Sequence, residues 1–152
     1  MRIFRVAKNE YIRDLTGEGS RLYGGRWNEA GSSMLYFCEH LSLCVLELLA
    51  RNPYGTITSN FSYLEVELPE SGIKTISKPA EIFLNWNIDP PPATTQTYGT
   101  RWLERKETVG LRVPSAILCE ENNILINPNH HEISGFKVVK VSPLLLDHRV
   151  DR

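Results

Sequence analysis

Residues 41–51, LSLCVLELLAR, are the segment that most narrows the choice of fold. Leu41, Cys44, Val45, Leu48 and Leu49 recur at the spacing of one helical face, while Leu43, Leu46 and Ala50 make most of the other face apolar. A helix apolar nearly all round is expected to be buried. Its neighbours are of another kind. RIFRVA (2–7) alternates, with Phe4 and Val6 on one side and Ile3 and Arg5 on the other, and YLEVEL (63–68) points Leu64, Val66 and Leu68 inward. SMLYFC (33–38), GIKTIS (72–77), SAILC (115–119), NILIN (123–127) and FKVVKVS (136–142) also read as strands. NPYG (52–55) ends the helix with turn chemistry, PPP (90–92) forces the chain out of regular structure, and a polar helix carrying Trp102 is predicted over 95–107. Strands that do not alternate with helices argue against a doubly wound parallel sheet. The expectation is an α+β fold with a compact central β core, formed by one domain over the 152 residues.

Charge and cysteine content restrict the function classes. With 17 basic and 18 acidic side chains the net charge is −1, so no basic field is present to hold nucleic acid by its phosphates. Three cysteines, Cys38, Cys44 and Cys119, give no disulfide framework. The opening MRIFRVAKNE is not a signal peptide, and no apolar stretch is long enough to span a bilayer, so a soluble, cytoplasmic protein is expected. A second copy of the chain is left open as a partner.

Four segments carry side chains suited to chemistry. The loop over 16–33 contains GEGSRLYGGRWN (17–28), whose glycines allow close approach of a ligand. Its Arg26 offers a planar fork for phosphate or carboxylate, and Trp27 or Tyr23 offers a ring for stacking. A plain glycine-rich surface loop with solvated arginines has the same composition. Neither a P-loop nor a dinucleotide fingerprint is present, since both GK[ST] and GxGxxG are missing.

Glu47 interrupts the apolar helix; it is either a structural partner of Arg51 four residues on or a carboxylate presented to a cleft. In VPSA (113–116) the proline fixes the backbone at a strand start, and Ser115 is either a capping hydroxyl or a donor to a ligand. No GxSxG elbow marks it as a nucleophile. NP (127–128) is followed by Asn129, His130 and His131. Adjacent histidines on a strand point to opposite faces, and Cys44 of the set Cys38, His40 and Cys44 falls on the helix's apolar stripe, so no metal is expected.

Taken together and in this order, GEGSRLYGGRWN, MLYFCE, LCVLELL, VPSAIL and NILINP with its following histidine resemble the RES-domain family, from about Phe4 to about Val141. The arginine, glutamate and serine that give the family its name match Arg26, Glu47 and Ser115. One departure is His131, where the family pattern has a proline after the first histidine. The resemblance implies a fold like that of diphtheria-toxin-type ADP-ribosyltransferases. It implies NAD as the consumed molecule, and membership in a bacterial toxin–antitoxin pair whose antitoxin carries an Xre-type helix-turn-helix and blocks the active site. On chemistry and resemblance together, Glu47 either faces the cation that develops when the nicotinamide–ribose bond breaks or holds a ribose hydroxyl. Arg26 holds the diphosphate or its ribose, Tyr36 packs on nicotinamide or directs its amide, Ser115 supplies a hydrogen bond within the pocket, and Arg5 is a further phosphate ligand. Three readings follow: NAD degradation with water or phosphate as acceptor, ADP-ribosylation of a macromolecule, and a catalytically silent nucleotide-binding module. The intact Arg26–Glu47–Ser115 set argues against the last.

Overall fold

The computed structural model describes residues 1–52 and 60–150. Its seven strands are β1 (Arg2–Lys8), β2 (Leu35–Cys38), β3 (Phe61–Glu67), β4 (Ile73–Thr75), β5 (Gly110–Pro114), β6 (Asn122–Ile126) and β7 (Lys137–Pro143). Three α-helices accompany them: α1 (Glu18–Tyr23), α2 (Leu41–Arg51) and α3 (Ala93–Arg105). The strands form one sheet in the order β4-β5-β6-β2-β1-β3-β7. Every pair is antiparallel except β4 with β5. This is the mixed α+β arrangement with a central sheet expected from the strand patterns.

Alternation along the strands divides the core. Ile3, Leu35, Phe37, Leu64, Val66, Ile124 and Ile126 form one buried cluster. Phe4 and Val6, offset by one residue, pack instead with Cys38, Leu43 and Cys44 beneath α2. Leu111, Val113 and Leu125 join Trp27, Phe83, Trp86, Trp102 and Leu103 beneath α3. Period-2 alternation on a sheet covered on both sides produces this division.

Three expectations need correction. Helix α2 occupies the predicted residues but is not buried all round: Leu43 and Cys44 are buried, whereas Leu46 is 37% exposed. The sheet covers one face of the helix only, and its apolar outer face is left at the surface. The strand expected at 115–119 lies earlier, at Gly110–Pro114, so Pro114 ends a strand where it was expected to start one. Register with β6 fixes this: Pro114 pairs with Asn122, and the chain must turn over 115–121 to reach it. Within the segment read as loop, residues 18–23 form the short helix α1. Of the NPYG turn, Asn52 caps α2 through its N–H to the Leu48 carbonyl, and residues 53–55 lie outside the described residues.

Strands β1 and β2 share a single ladder position, Phe4 opposite Cys38. Arg5, Val6 and Ala7 on one side and Leu35, Tyr36 and Phe37 on the other line a cavity instead of pairing. The sheet therefore splits at its middle, and the split is where the candidate site lies.

Candidate functional site

A cleft of about 740 Å³ runs from this split past the 19–27 loop to the 87–91 segment. It is joined to a cavity of about 260 Å³ between β1 and β2 through shared walls that include Tyr36, Glu47, Arg51 and Asn123. The larger space alone falls in the range of small-molecule sites, about 300–1,000 Å³.

Glu47 stands at the junction of the two spaces. The helical phase that buries Leu43 and Cys44 under α2 brings Glu47, one turn further on, over the ends of β5 and β6. Its Oε1 accepts hydrogen bonds from Ser115 Oγ at 2.9 Å and from Asn123 Nδ2 at 2.9 Å. Its Oε2 lies 3.4 Å from Arg51 Nη2, the i,i+4 partner anticipated as the structural alternative. Glu47 is therefore both ion-paired with Arg51 and part of the cleft wall.

Ser115 is fully buried. Its oxygen accepts the backbone N–H groups of Ile117 at 3.1 Å and Leu118 at 3.2 Å, closing the turn after β5, while its proton goes to Glu47. The hydrogen bond expected to reach a ligand is instead committed to the carboxylate. Ser115 joins the site by holding Glu47.

Arg26 Nη1 donates to the carbonyls of Trp86 and Ile88, both at 2.8 Å, so it clamps the 86–88 segment into the cleft wall. Burial pushes its guanidinium below the ordinary arginine range, and the charges of Asp89 and Glu47 oppose that shift. Among the described residues Nε and Nη2 make no hydrogen bond. Arg5 lines the smaller cavity and donates to the carbonyl of Asp14; its pKa is likewise lowered by burial, against the pull of Asp14. Two arginines, Arg26 and Arg51, thus bear on Glu47, and Arg5 lines the smaller cavity that Glu47 also walls.

Two aromatic roles change. The Trp27 side chain is 1% exposed and packs edge-on against Phe83 and Tyr98 and obliquely on Trp86, so it anchors the loop rather than offering a face for stacking. The exposed ring of the loop is Tyr23, at 86%. Tyr36 does line the cleft, but its hydroxyl donates to Asn28 Oδ1 at 2.7 Å and accepts the Trp27 N–H at 3.1 Å. Burial drives its pKa upward, so it stays a neutral phenol that fixes the loop.

Loop order comes from Asn28, fully buried, whose amide donates to the carbonyls of Ser20, Glu29 and Ser32. Helix α3 adds Gln96 Nε2 to the Gly25 carbonyl and the Glu29 N–H to Thr100. A Cβ at Gly99 would lie 1.7 Å from the Trp27 carbonyl oxygen, so only glycine lets α3 come this close.

Cys44 is core, as its position on the apolar stripe predicts, and donates to the Phe4 carbonyl. His130, His131 and Glu132 do come together, because they open a 3₁₀ turn and not a strand. His130 Nε2 faces the Lys106 carbonyl at 3.0 Å and Nδ1 accepts the Glu132 N–H at 3.1 Å. With both ring nitrogens hydrogen-bonded to the backbone, the buried imidazole of His130 caps the turn and has no lone pair free for a cation.

Two site residues escaped the sequence reading. In the sequence Arg51 reads only as an ion-pair partner of Glu47, and Asn123 only as the start of a strand. Asn123 carried a usable signal, a carboxamide in a strand whose next three residues are all apolar.

Comparison with known proteins places these residues in a family. The RES domain model matches residues 2–147. A protein of Yersinia enterocolitica named Toxin Res is 38% identical over 131 residues, covering 86% of each chain. One of Sphingobium sp. named Prs ADP-ribosylating toxin is 33% identical over 153 residues, covering 99% of this chain and 95% of that protein. Among solved structures, the M. tuberculosis MbcT–MbcA toxin–antitoxin complex contains a chain of the same fold, with a TM-score of 0.72 at 17% identity over 94% of this chain and 83% of that one.

Proposed function

The chain belongs to the RES domain family, and from that premise we propose that it is the toxin of a toxin–antitoxin pair that binds NAD in the split-sheet cleft and breaks its nicotinamide–ribose bond. The observation that carries this reading is the carboxylate of Glu47, lining the cleft with both oxygens engaged and the charges of Arg51 and Arg26 beside it. Loss of nicotinamide leaves oxocarbenium-like charge on the ribose, and a fixed carboxylate stabilises such charge most effectively when it need not reorganise. Nicotinamide departs as a neutral ring, so the reaction makes no demand for a strong general acid. Arg26, Arg51 and Arg5 supply cationic donors for the diphosphate. Ser115 holds Glu47, and Tyr36 and Trp27 hold the loop that carries Arg26.

The decisive experiment incubates purified protein with NAD, with and without phosphate, and identifies the ribosyl product. Release of nicotinamide that Glu47→Gln abolishes in a folded protein is expected. Turnover by Glu47→Gln at the unmutated rate would refute the mechanism.

A second acceptor has specific support: the relative aligned over 99% of this chain is named for ADP-ribosylating Prs. Transfer to a protein side chain begins with the same bond cleavage, so it alters the acceptor and leaves the roles of Glu47 and the arginines unchanged. An unregulated enzyme of either kind would drain the cell that makes it. We therefore assign it a cytoplasmic setting and a separate Xre-type helix-turn-helix antitoxin that covers the cleft, with no direct contact to nucleic acid by the toxin. Expression alone should lower cellular NAD and halt growth, and co-expression of the neighbouring reading frame should restore both.

A further inference from the structure

Strand β6 reads Asn122-Asn123-Ile124-Leu125-Ile126. Ile124 and Ile126 enter one core cluster and Leu125 the other. By the same alternation Asn123 falls on the helix-bearing face with Leu125, opposite Cys38 on β2 and Val113 on β5. An apolar residue would fit that face by pattern; the carboxamide found there is bound at both ends. Its Nδ2 donates to Glu47 Oε1 at 2.9 Å, and its Oδ1 accepts from Cys38 Sγ at 3.3 Å.

We propose that Asn123 is a positioning residue for Glu47, fixing the carboxylate plane that faces the ribose; this rests on the reading of Glu47 given above. Ser115 alone holds Oε1 from one direction, and Arg51 meets Oε2 at 3.4 Å, which leaves the carboxylate some freedom about its terminal bond, a soft torsion. A second donor on the same oxygen, reaching it from a different strand, removes that freedom. The orientation of Asn123 is itself determined. A carboxylate accepts only, so the nitrogen must face Glu47, and the oxygen then needs a donor on its far side. Cys38 fills that need. The neighbouring thiol of Cys44 and burial push the Cys38 pKa up, so it remains an S–H donor.

The groups that bear on Glu47 are Arg51 from its own helix, Arg26 from the loop, Ser115 beyond β5, Asn123 from β6 and the thiol of Cys38 from β2. Replacing Asn123 changes one of these and leaves both arginines in place. A misplacement of about 1 Å at a reacting group costs on the order of 100-fold in rate. Asn123→Leu, with the same branched heavy-atom skeleton but no donor, should therefore lower kcat by about 10- to 100-fold and move KM for NAD by less than about threefold. Asn123→Asp, close to isosteric, sets a like charge beside Glu47 and should raise the pH at which Glu47 titrates, moving the acid limb of the kcat profile with it.

The test combines NAD kinetics of both variants with carbon-13 NMR titration of glutamate-labelled protein, the Glu47 resonance being assigned by its loss in Glu47→Gln. The NMR arm needs no turnover, so it reads the Asn123–Glu47 contact even if NAD proves not to be the substrate. An upward-shifted Glu47 titration in Asn123→Asp with a kcat-selective loss in Asn123→Leu is the expected result. An unmoved Glu47 titration, or unmutated kcat in a folded Asn123→Leu, overturns the proposal. Should Asn123→Leu fail to fold, Asn123→Asp carries both measurements.

Discussion

Replacing Ser115 with alanine separates a ligand-binding serine from one that holds the site together. The hydroxyl is fully buried and makes three contacts: its proton to Glu47, and its oxygen to the N–H groups of Ile117 and Leu118. A hydrogen bond to a charged group contributes about 1.5–3 kcal/mol, and the low end applies here because Asn123 still holds the same Glu47 oxygen. The two N–H groups lose their acceptor, but Ile117 is 42% exposed, so water replaces part of that loss. Together these give a destabilisation of about 3 kcal/mol, drawn from the penalty for buried unsatisfied groups. For a chain of 152 residues that corresponds to a fall in Tm of roughly 6–12 °C. Circular dichroism melts of the two proteins at pH 7 measure it, and nicotinamide release at a temperature where both are folded measures the effect on Glu47. A Tm within about 2 °C of the unmutated protein would refute the argument, because no arrangement with these three bonds could lose the hydroxyl so cheaply.

Other outcomes follow from the same geometry. Gly99→Ala should destabilise severely, by more than the roughly 1–3 kcal/mol of ordinary overpacking, because the new methyl meets the Trp27 carbonyl and not a movable side chain; a denaturant midpoint measures it. Tyr36→Phe strands Asn28 Oδ1 and the Trp27 N–H and should cost about 1–3 kcal/mol, read from urea unfolding, with increased hydrogen exchange in residues 24–29. Arg26→Ala should weaken NAD binding more than Arg26→Lys, since lysine keeps the charge but not the planar fork, which can hold the Trp86 and Ile88 carbonyls through Nη1 and still present Nε and Nη2 to a phosphate; calorimetric titration decides, and equal, unimpaired affinity in both would remove Arg26 from the site. The hydrogen bonds from the Thr16 hydroxyl and N–H hold Asp14 below the usual carboxylate range, with the charge of Arg5 adding to the effect. A lowered folded-state pKa stabilises fully above the unfolded value of about 3.9 and is lost as pH falls through the folded value. Asp14→Asn should therefore flatten the acid limb of stability below about pH 4 in urea melts across pH 2–7.

Much of the fold was legible in the sequence because periodicity encodes burial. The boundaries of α2, the alternation that sends Ile3 and Phe4 to different cores, and the inward set Leu64, Val66 and Leu68 all follow from side-chain spacing alone. Period says little about where a strand ends, and β5 differs from its expected place for that reason: AIL at 116–118 is more apolar than LRV at 111–113, and pairing with β6 decides between them.

The sequence by itself determined that a basic loop, a lone mid-helix glutamate and a serine after a proline occur in this order, and order was enough to give the family. Only the tertiary structure decided what each does. Ser115 and Asn123 converge on one oxygen of Glu47 from opposite ends of the 115–121 turn and from 68 and 76 residues away along the chain. Trp27, which composition offers to a ligand, is claimed by the core under α3. Local sequence sets which groups a residue can bond; which of them it meets depends on strand register and helix packing, which are properties of the whole chain.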